Sequence, residues 1–263
     1  MPAAIRLAGV SKCYRRQSER SPTTLKTYLV RDLWQRRRSG SEVTWAVRDV
    51  SLTVERGATV AIIGRNGSGK STLLNLVGGI VRPTSGSVGV DGRTSAMIEL
   101  GAGFHPELTG RENVLINGVI LGLSKAEVKD RFAEIVEFAE LAGFINQPVR
   151  TYSTGMQVRL GFAVAVYASP DIFLVDEVLA VGDLPFVRKC FERMERFRKD
   201  GKTILVATHD LEMARSWCDH AVWLDRGEVR MMGEAGPVVD AYWREAVSAP
   251  EPAFLAESRL TGA

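Results

Sequence analysis

Cysteine is scarce in this chain. Cys13, Cys190 and Cys218 are odd in number, widely spaced and without a C-x-x-C pair, which excludes a disulfide framework and a thiolate zinc site and points to reduced thiols in a cytosolic compartment. Long apolar runs are missing as well. Crossing a bilayer takes about 18 consecutive apolar residues, and the best candidate, Leu160 to Ala168, stops at Ser169-Pro170-Asp171. The start, MPAAIRLAGV, lacks a charged segment followed by an apolar core, so no secretion signal is expected. If the protein serves a membrane process, another chain must supply the path. Histidine is limited to three residues; His105 and His220 occupy no chemically suggestive position and read as structural, whereas His209 ends an apolar strand.

What is present begins with an uneven charge. The net charge of +3 is small, yet residues 1–48 hold eleven Lys and Arg against Glu19, Asp32 and Glu42, a balance of +8 that leaves −5 for the remainder. The basic insertion at 15–45 has Arg36-Arg37-Arg38 as its densest point and Leu25, Tyr28, Leu29, Leu33 and Trp34 at helix-like spacing. Such a stretch suits an anionic membrane surface or the cytoplasmic face of a partner; a solvated insertion has the same composition. Nucleic acid is a third option, but no base-stacking or groove-reading motif accompanies the charge.

The strongest chemical signal is GRNGSGKST at residues 64 to 72. Gly64, Gly69, Lys70 and Ser71 fit G-x-x-x-x-G-K-[ST], directly after the apolar run Thr59 to Ile63. The reading is strand, glycine loop, helix. Gly64, Asn66, Gly67, Ser68 and Gly69 turn backbone N–H groups around the phosphates, Lys70 adds a point charge, Ser71 is placed to ligate Mg²⁺, and the helix from about Thr72 contributes its positive end.

Strands are expected at Ile5 to Val10 and Val47 to Val54, and a turn-rich hairpin at Ser85 to Ser95. Two capping boxes, Thr109 with Glu112 and Ser124 with Glu127, announce helices, the second running to about Ala142. These belong to a mainly helical subdomain, Phe104 to Gln147, reaching about residue 168 with the helix that starts near Met156. Two further apolar strands, Ile172 to Val175 and Thr203 to Ala207, flank a charged helix at Phe186 to Lys199. Alternation of strands and helices predicts an α/β core with a mainly parallel sheet and its ligand site at the carboxyl ends of the strands. At those ends stand Asp176, a candidate Mg²⁺ ligand, Glu177, a candidate general base, and His209, a candidate contact to the γ-phosphate or the attacking water. Strand-end Asp-Glu pairs are also common solvated turns. The segment Tyr152-Ser153-Thr154-Gly155-Met156-Gln157 precedes a helix and, taken alone, is a helix cap with free N–H groups and no phosphate of its own.

Together these motifs resemble the ATP-binding subunits of ATP-binding-cassette (ABC) transporters over residues 5 to about 233. GRNGSGKST corresponds to Walker A, YSTGMQ to the signature, IFLVDE to Walker B, VLAVGD to the D-loop ending in Asp183, and His209 to the switch histidine. The resemblance implies an ABC-type phosphate-loop core with an N-terminal antiparallel β part and an inserted helical subdomain. It implies ATP hydrolysis with Mg²⁺, Tyr14 stacking on adenine, and a head-to-tail homodimer in which Ser153 and Gly155 of one copy meet the γ-phosphate held by Lys70 of the other. The usual Gln-loop glutamine is absent from IELGAGFHPELTGREN, where Glu99 is the nearest candidate for sensing Mg²⁺. The variant signature, DEVLAVGD and the basic insertion look like the branch that exports lipid-linked polysaccharides such as O-antigen, capsule, teichoic acid or cell-wall galactan. That likeness implies a peripheral protein on the cytoplasmic face of the inner membrane, working with a separate transmembrane permease, with residues 1–240 as the nucleotide-binding domain. Some members append a carbohydrate-binding domain; here a helix and a Pro/Ala-rich tail are expected after Asp225-Arg226-Gly227, with residues 241–263 as the helix end and a flexible tail. Export of a different substrate class is one alternative; a soluble ABC protein acting on nucleic acid or the ribosome is the rival, but such proteins usually carry two cassettes or a long coiled-coil insertion. A non-catalytic regulatory cassette is a second rival, opposed by the intact Lys70, Asp176, Glu177 and His209.

Overall fold

The computed structural model describes residues 2–15, 43–97, 103–176 and 183–248. Glu99, Glu177, residues 16–42 of the basic insertion and residues 249–263 lie outside them.

Two sheets form the framework. In the first, β1 (Ala3–Arg15) pairs antiparallel with β2 (Val43–Glu55) on one edge and with β4 (Ser85–Val90) on the other. Both N-terminal strands run longer than their apolar cores suggest, and Arg15 pairs with Val43. The two ends of the basic insertion therefore return to adjacent positions on one edge. The second sheet has the order β5-β6-β7-β3-β8-β9. Its members are β3 (Thr59–Ile63), β5 (Thr94–Met97), β6 (Ile172–Asp176), β7 (Thr203–Ala207), β8 (His220–Asp225) and β9 (Glu228–Glu234). All pair in parallel except β9. This is the expected mainly parallel core with an antiparallel N-terminal part.

Strand β3 shows why the central strands read as continuous apolar runs. All five residues are buried, because both faces of a parallel sheet are covered. Its side chains alternate between two cores: Ala61 and Ile63 face one with Phe162, Phe173 and Met194, while Val60 and Ile62 face another with Ile5, Val47 and Leu74. Helix α1 (Lys70–Val77) follows the glycine loop and packs into the second core through Leu73, Leu74, Leu76 and Val77.

The expected hairpin at Ser85 to Ser95 does not form. Strand β4 joins the first sheet and β5 the second, and Asp91-Gly92-Arg93 between them is pinned to separate partners. The Asp91 N–H donates to the Ala4 carbonyl at 2.9 Å, and the Arg93 N–H to the Asp171 carboxylate at 3.0 Å. A turn-rich sequence bends the chain here, and long-range pairing decides where each side goes. The real two-residue hairpin lies at Arg226-Gly227, both at positive φ, between paired Asp225 and Glu228. A strand, β9, therefore stands between Asp225-Arg226-Gly227 and the last helix, α7 (Ala235–Ser248).

Both capping boxes are formed. They start α2 (Gly110–Ile120) and α3 (Lys125–Ala139), and each N3 glutamate accepts from its cap residue's N–H at 2.8 Å. The Thr109 hydroxyl and N–H hold the Glu112 carboxyl, and the Ser124 N–H and hydroxyl hold the Glu127 carboxyl, below the ordinary carboxylate range. Helix α3 ends before Ala142 because Glu140 takes a left-handed conformation, φ 59°. Next come α4 (Thr154–Tyr167), α5 (Leu184–Lys199) and α6 (Leu211–Trp217). Phe138, Phe162 and Phe186 stack and edge together where α3, α4 and α5 converge. Truncating Phe162, which is 2% exposed, would cost about 3–5 kcal/mol.

Candidate functional site

The glycine loop is locked from behind by its own chain. Gly64, Gly67 and Gly69 all have positive φ, at 149°, 78° and 107°. A Cβ on Gly64 would stand 2.2 Å from the Leu224 carbonyl oxygen, and one on Gly69 would stand 2.3 Å from the Ala46 carbonyl oxygen. Strands β8 and β2 thus press on two sides of the loop, and only glycine fits. The hairpin turn seals it further: the Gly227 N–H donates to the Ser68 carbonyl at 2.9 Å, and the Arg48 N–H donates to the Gly227 carbonyl at 2.8 Å. Sequence reading missed Ala46, Leu224 and Gly227 as supports of the loop; among them, only the turn glycine left a local signal.

Inside the loop, Lys70 is buried and its ammonium donates to the carbonyls of Gly64 at 3.0 Å and Arg65 at 3.3 Å. The Lys70 charge is therefore held within the loop's curve. Ser68 is buried with an Oγ that has no hydrogen-bond partner among the described residues, while Arg65, Asn66 and Gly67 are exposed. Helix α1 begins with Gly69 in the left-handed region and no side-chain cap, leaving its first N–H groups and positive dipole end to an external anion. Ser71 is exposed and Thr72 half-buried in its first turn. Glycines that no other residue can replace, an inward ammonium and an uncapped helix start make a cradle that fits a polyphosphate.

Strand register brings the other candidates to the same end of the sheet. Asp176 pairs with Ala207, and Ala207 pairs with Ile62, so β6, β7 and β3 reach one row just before the glycine loop. Asp176 is half-buried on that row. Beyond it, the Thr208 N–H donates to the Ile62 carbonyl at 3.1 Å, and the Thr208 Oγ1 accepts from the Asp210 N–H at 3.0 Å. That clamp fixes the backbone on both sides of His209, which is exposed. Asp210 in turn caps α6 through the Met213 N–H. Asp176 and Ser71 carry oxygen atoms of the kind that Mg²⁺ prefers.

The remaining candidates stand elsewhere. Ser153 caps α4, its Oγ accepting from the Met156 N–H at 3.2 Å. Tyr152 anchors the turn: its hydroxyl donates to the Phe144 carbonyl at 2.7 Å, and burial pushes its pKa up. Gly155 differs from the loop glycines. Its φ is not positive, and among the described residues an added Cβ would approach nothing closer than the Ser153 Oγ at 3.8 Å. Asp183 caps α5 through the Phe186 N–H at 3.3 Å, and its other carboxylate oxygen is 2.8 Å from Arg159. Tyr14, 44% exposed near the end of β1, has the Lys12 ammonium 5.2 Å from its ring centre.

A family model described as ABC transporter matches residues 47–180. The chain belongs to this family. Among its ABC relatives, the "O-antigen export system ATP-binding protein RfbB" of Myxococcus xanthus is 51% identical over 94% of this chain and 57% of its own length. A protein of the same name from Klebsiella pneumoniae is 49% identical over 75% of this chain and 80% of its own. The "Teichoic acids export ATP-binding protein TagH" of Bacillus anthracis is 42% identical over 81% of this chain and 38% of its own. The chain thus spans little more than half of the Myxococcus relative. Among solved structures, the dimeric ATP-binding cassette MJ0796 bound to ADP and Pi is 27% identical, covers 88% of this chain and 98% of its own, and superimposes with a TM-score of 0.69. Within the described residues of this ABC chain, no helix is long and apolar enough to cross a membrane.

Proposed function

We propose that the chain is the ATP-hydrolysing subunit of an exporter of lipid-linked polysaccharide, working as a homodimer on a separate transmembrane permease. The observation that carries the reading is the division of the site. Lys70, the loop amides, Asp176 and His209 stand at the carboxyl ends of β3, β6 and β7, whereas Ser153, which is exposed, and Gly155, which is half-buried, stand at the start of α4. Glycine in a helix costs about 0.5–1 kcal/mol relative to alanine, and no described residue of the chain requires it at Gly155. Close approach of a second copy supplies the missing reason.

In the closed pair, the loop amides and Lys70 hold the β- and γ-phosphates, and Tyr14 stacks on the base. Ser153 and Gly155 of the second copy meet the γ-phosphate, and Asp183 lies at the same junction. Mg²⁺, when bound by Ser71 and Asp176, would neutralise phosphate charge, and Glu99 is the candidate that the sequence offers for sensing it. Glu177 takes a proton from water as the water oxygen attacks the γ-phosphorus. The bond to the β-phosphate oxygen breaks, giving ADP and inorganic phosphate, and His209 contacts the γ-phosphate or the attacking water. Residues 1–240 act as the nucleotide-binding unit.

The export substrate follows from the relatives named for O-antigen and teichoic acid export. Peripheral placement on the cytoplasmic face is supported by the basic insertion, whose ends meet at Arg15 and Val43 and which suits an anionic surface or the permease rather than nucleic acid. Neutralising Arg36, Arg37 and Arg38 should weaken co-purification with the permease or binding to anionic vesicles at unchanged ATP affinity. The primary test is magnesium-dependent ATP turnover together with Glu177→Gln, which should retain ATP and accumulate a dimer. Unchanged turnover in that variant removes Glu177 from the base role.

A further inference from the structure

Ser153 and Asp183 begin different helices, α4 and α5, yet a single side chain connects them. Arg159, on α4, is 20% exposed and forks between two carboxylates: one guanidinium nitrogen is 2.8 Å from Asp183 and another is 2.9 Å from Glu140. Its guanidinium also lies over the Phe186 ring of α5, 5.1 Å from the centre. Glu140 is offered to the fork by the left-handed turn that ends α3. Lys189 braces the far side, donating to the Phe138 carbonyl at 2.9 Å and pairing with Glu140 at 3.3 Å.

Isolated surface ion pairs contribute little. This one differs in three respects. The arginine side chain is 20% exposed, its guanidinium lies over an aromatic ring, and its two bonds run to different elements, which is where a planar guanidinium outperforms a flexible ammonium. Asp183 has both oxygens engaged, one holding the first turn of α5 and the other holding Arg159. A displacement of α4 is therefore transmitted to the start of α5.

We propose that Arg159 is a positioning residue that ties Asp183 to the helix beginning at Ser153, so that both groups presented to a second copy move as one rigid piece. The inference rests on the two-copy reading above, but its mechanical part is measurable without turnover. Arg159→Gln should lower kcat at least tenfold while KM for ATP stays within about twofold, and Arg159→Lys should recover part of the loss. Lys189→Met, which removes a neighbouring contact to the same Glu140 without touching Asp183, should keep turnover near that of the parent. Hydrogen exchange at the Met156 and Phe186 amides should rise together, several-fold, in Arg159→Gln and not in Lys189→Met. Parental turnover in Arg159→Gln, or equal losses in Arg159→Gln and Lys189→Met, overturns the inference. If Arg159→Gln does not fold, Arg159→Lys carries the same comparison. Should the parent itself show no magnesium-dependent turnover, the proposed function falls, and the exchange data alone decide the coupling, unchanged protection overturning it.

Discussion

The glycine loop and the Ser153 turn are both glycine-containing helix starts, and the chain treats them oppositely. At Gly64 and Gly69 the reason for glycine is internal, since strands β8 and β2 leave no room for a Cβ. At Gly155 no described residue crowds the space and the backbone is ordinary. A residue that its own fold demands and one that it merely tolerates have different explanations. The first builds a cradle within the chain, and the second keeps a surface clear for something outside it.

The comparison predicts a graded set of outcomes. Gly64→Ala should be the most damaging, because its Cβ collides with the Leu224 carbonyl. The loop or β8 must shift, at a cost of about 3 kcal/mol, and calorimetry should show a lower Tm together with loss of nucleotide binding. Gly155→Ala should do the reverse. Its thermal stability should hold or rise by about 0.5–1 kcal/mol, while ATP turnover falls tenfold or more. A Gly155→Ala variant with parental turnover would erase the contrast.

Ser153→Ala lies between the two. Removing the cap to the Met156 N–H should cost about 1 kcal/mol, visible in urea unfolding, and turnover should fall by more than that loss of folded protein accounts for. The smallest effect concerns pH. Burial pushes the thiols of Cys190 and Cys218 up to about 12, against about 8.5 in an unfolded chain. The folded state keeps these protons when the unfolded chain has released them. Their contribution to stability is therefore complete below about pH 8.5 and is lost as pH rises toward 12. Unfolding midpoints measured from pH 8 to 10 should decline, less steeply when both residues are replaced by alanine. At pH 8, thiol reagents should label half-buried Cys13 first among the three.

Much of this was legible beforehand because it is local. Phosphate loop, capping boxes and strand ends each occupy a few adjacent residues whose chemistry specifies a conformation. The misread hairpin at Ser85 to Ser95 failed for the opposite reason, since the turn is real but the partners of β4 and β5 lie in β1 and β6. The backing of the loop by Ala46 and Leu224 was likewise hidden, as was the Arg159 fork. Each joins residues far apart in the chain, and no spacing rule marks them. Candidate residues Glu99 and Glu177 fall outside the described residues, so their roles rest on the sequence pattern alone.

The central claim is that one chain holds only half of a working site. It is tested most directly by Gly155→Asp in the Glu177→Gln background, with ATP affinity and mass in solution followed together. The account predicts that this variant binds ATP as tightly as its parent and stays monomeric, while the parent forms an ATP-dependent dimer. An ATP-dependent dimer in the variant, or loss of ATP affinity in its monomer, would contradict it.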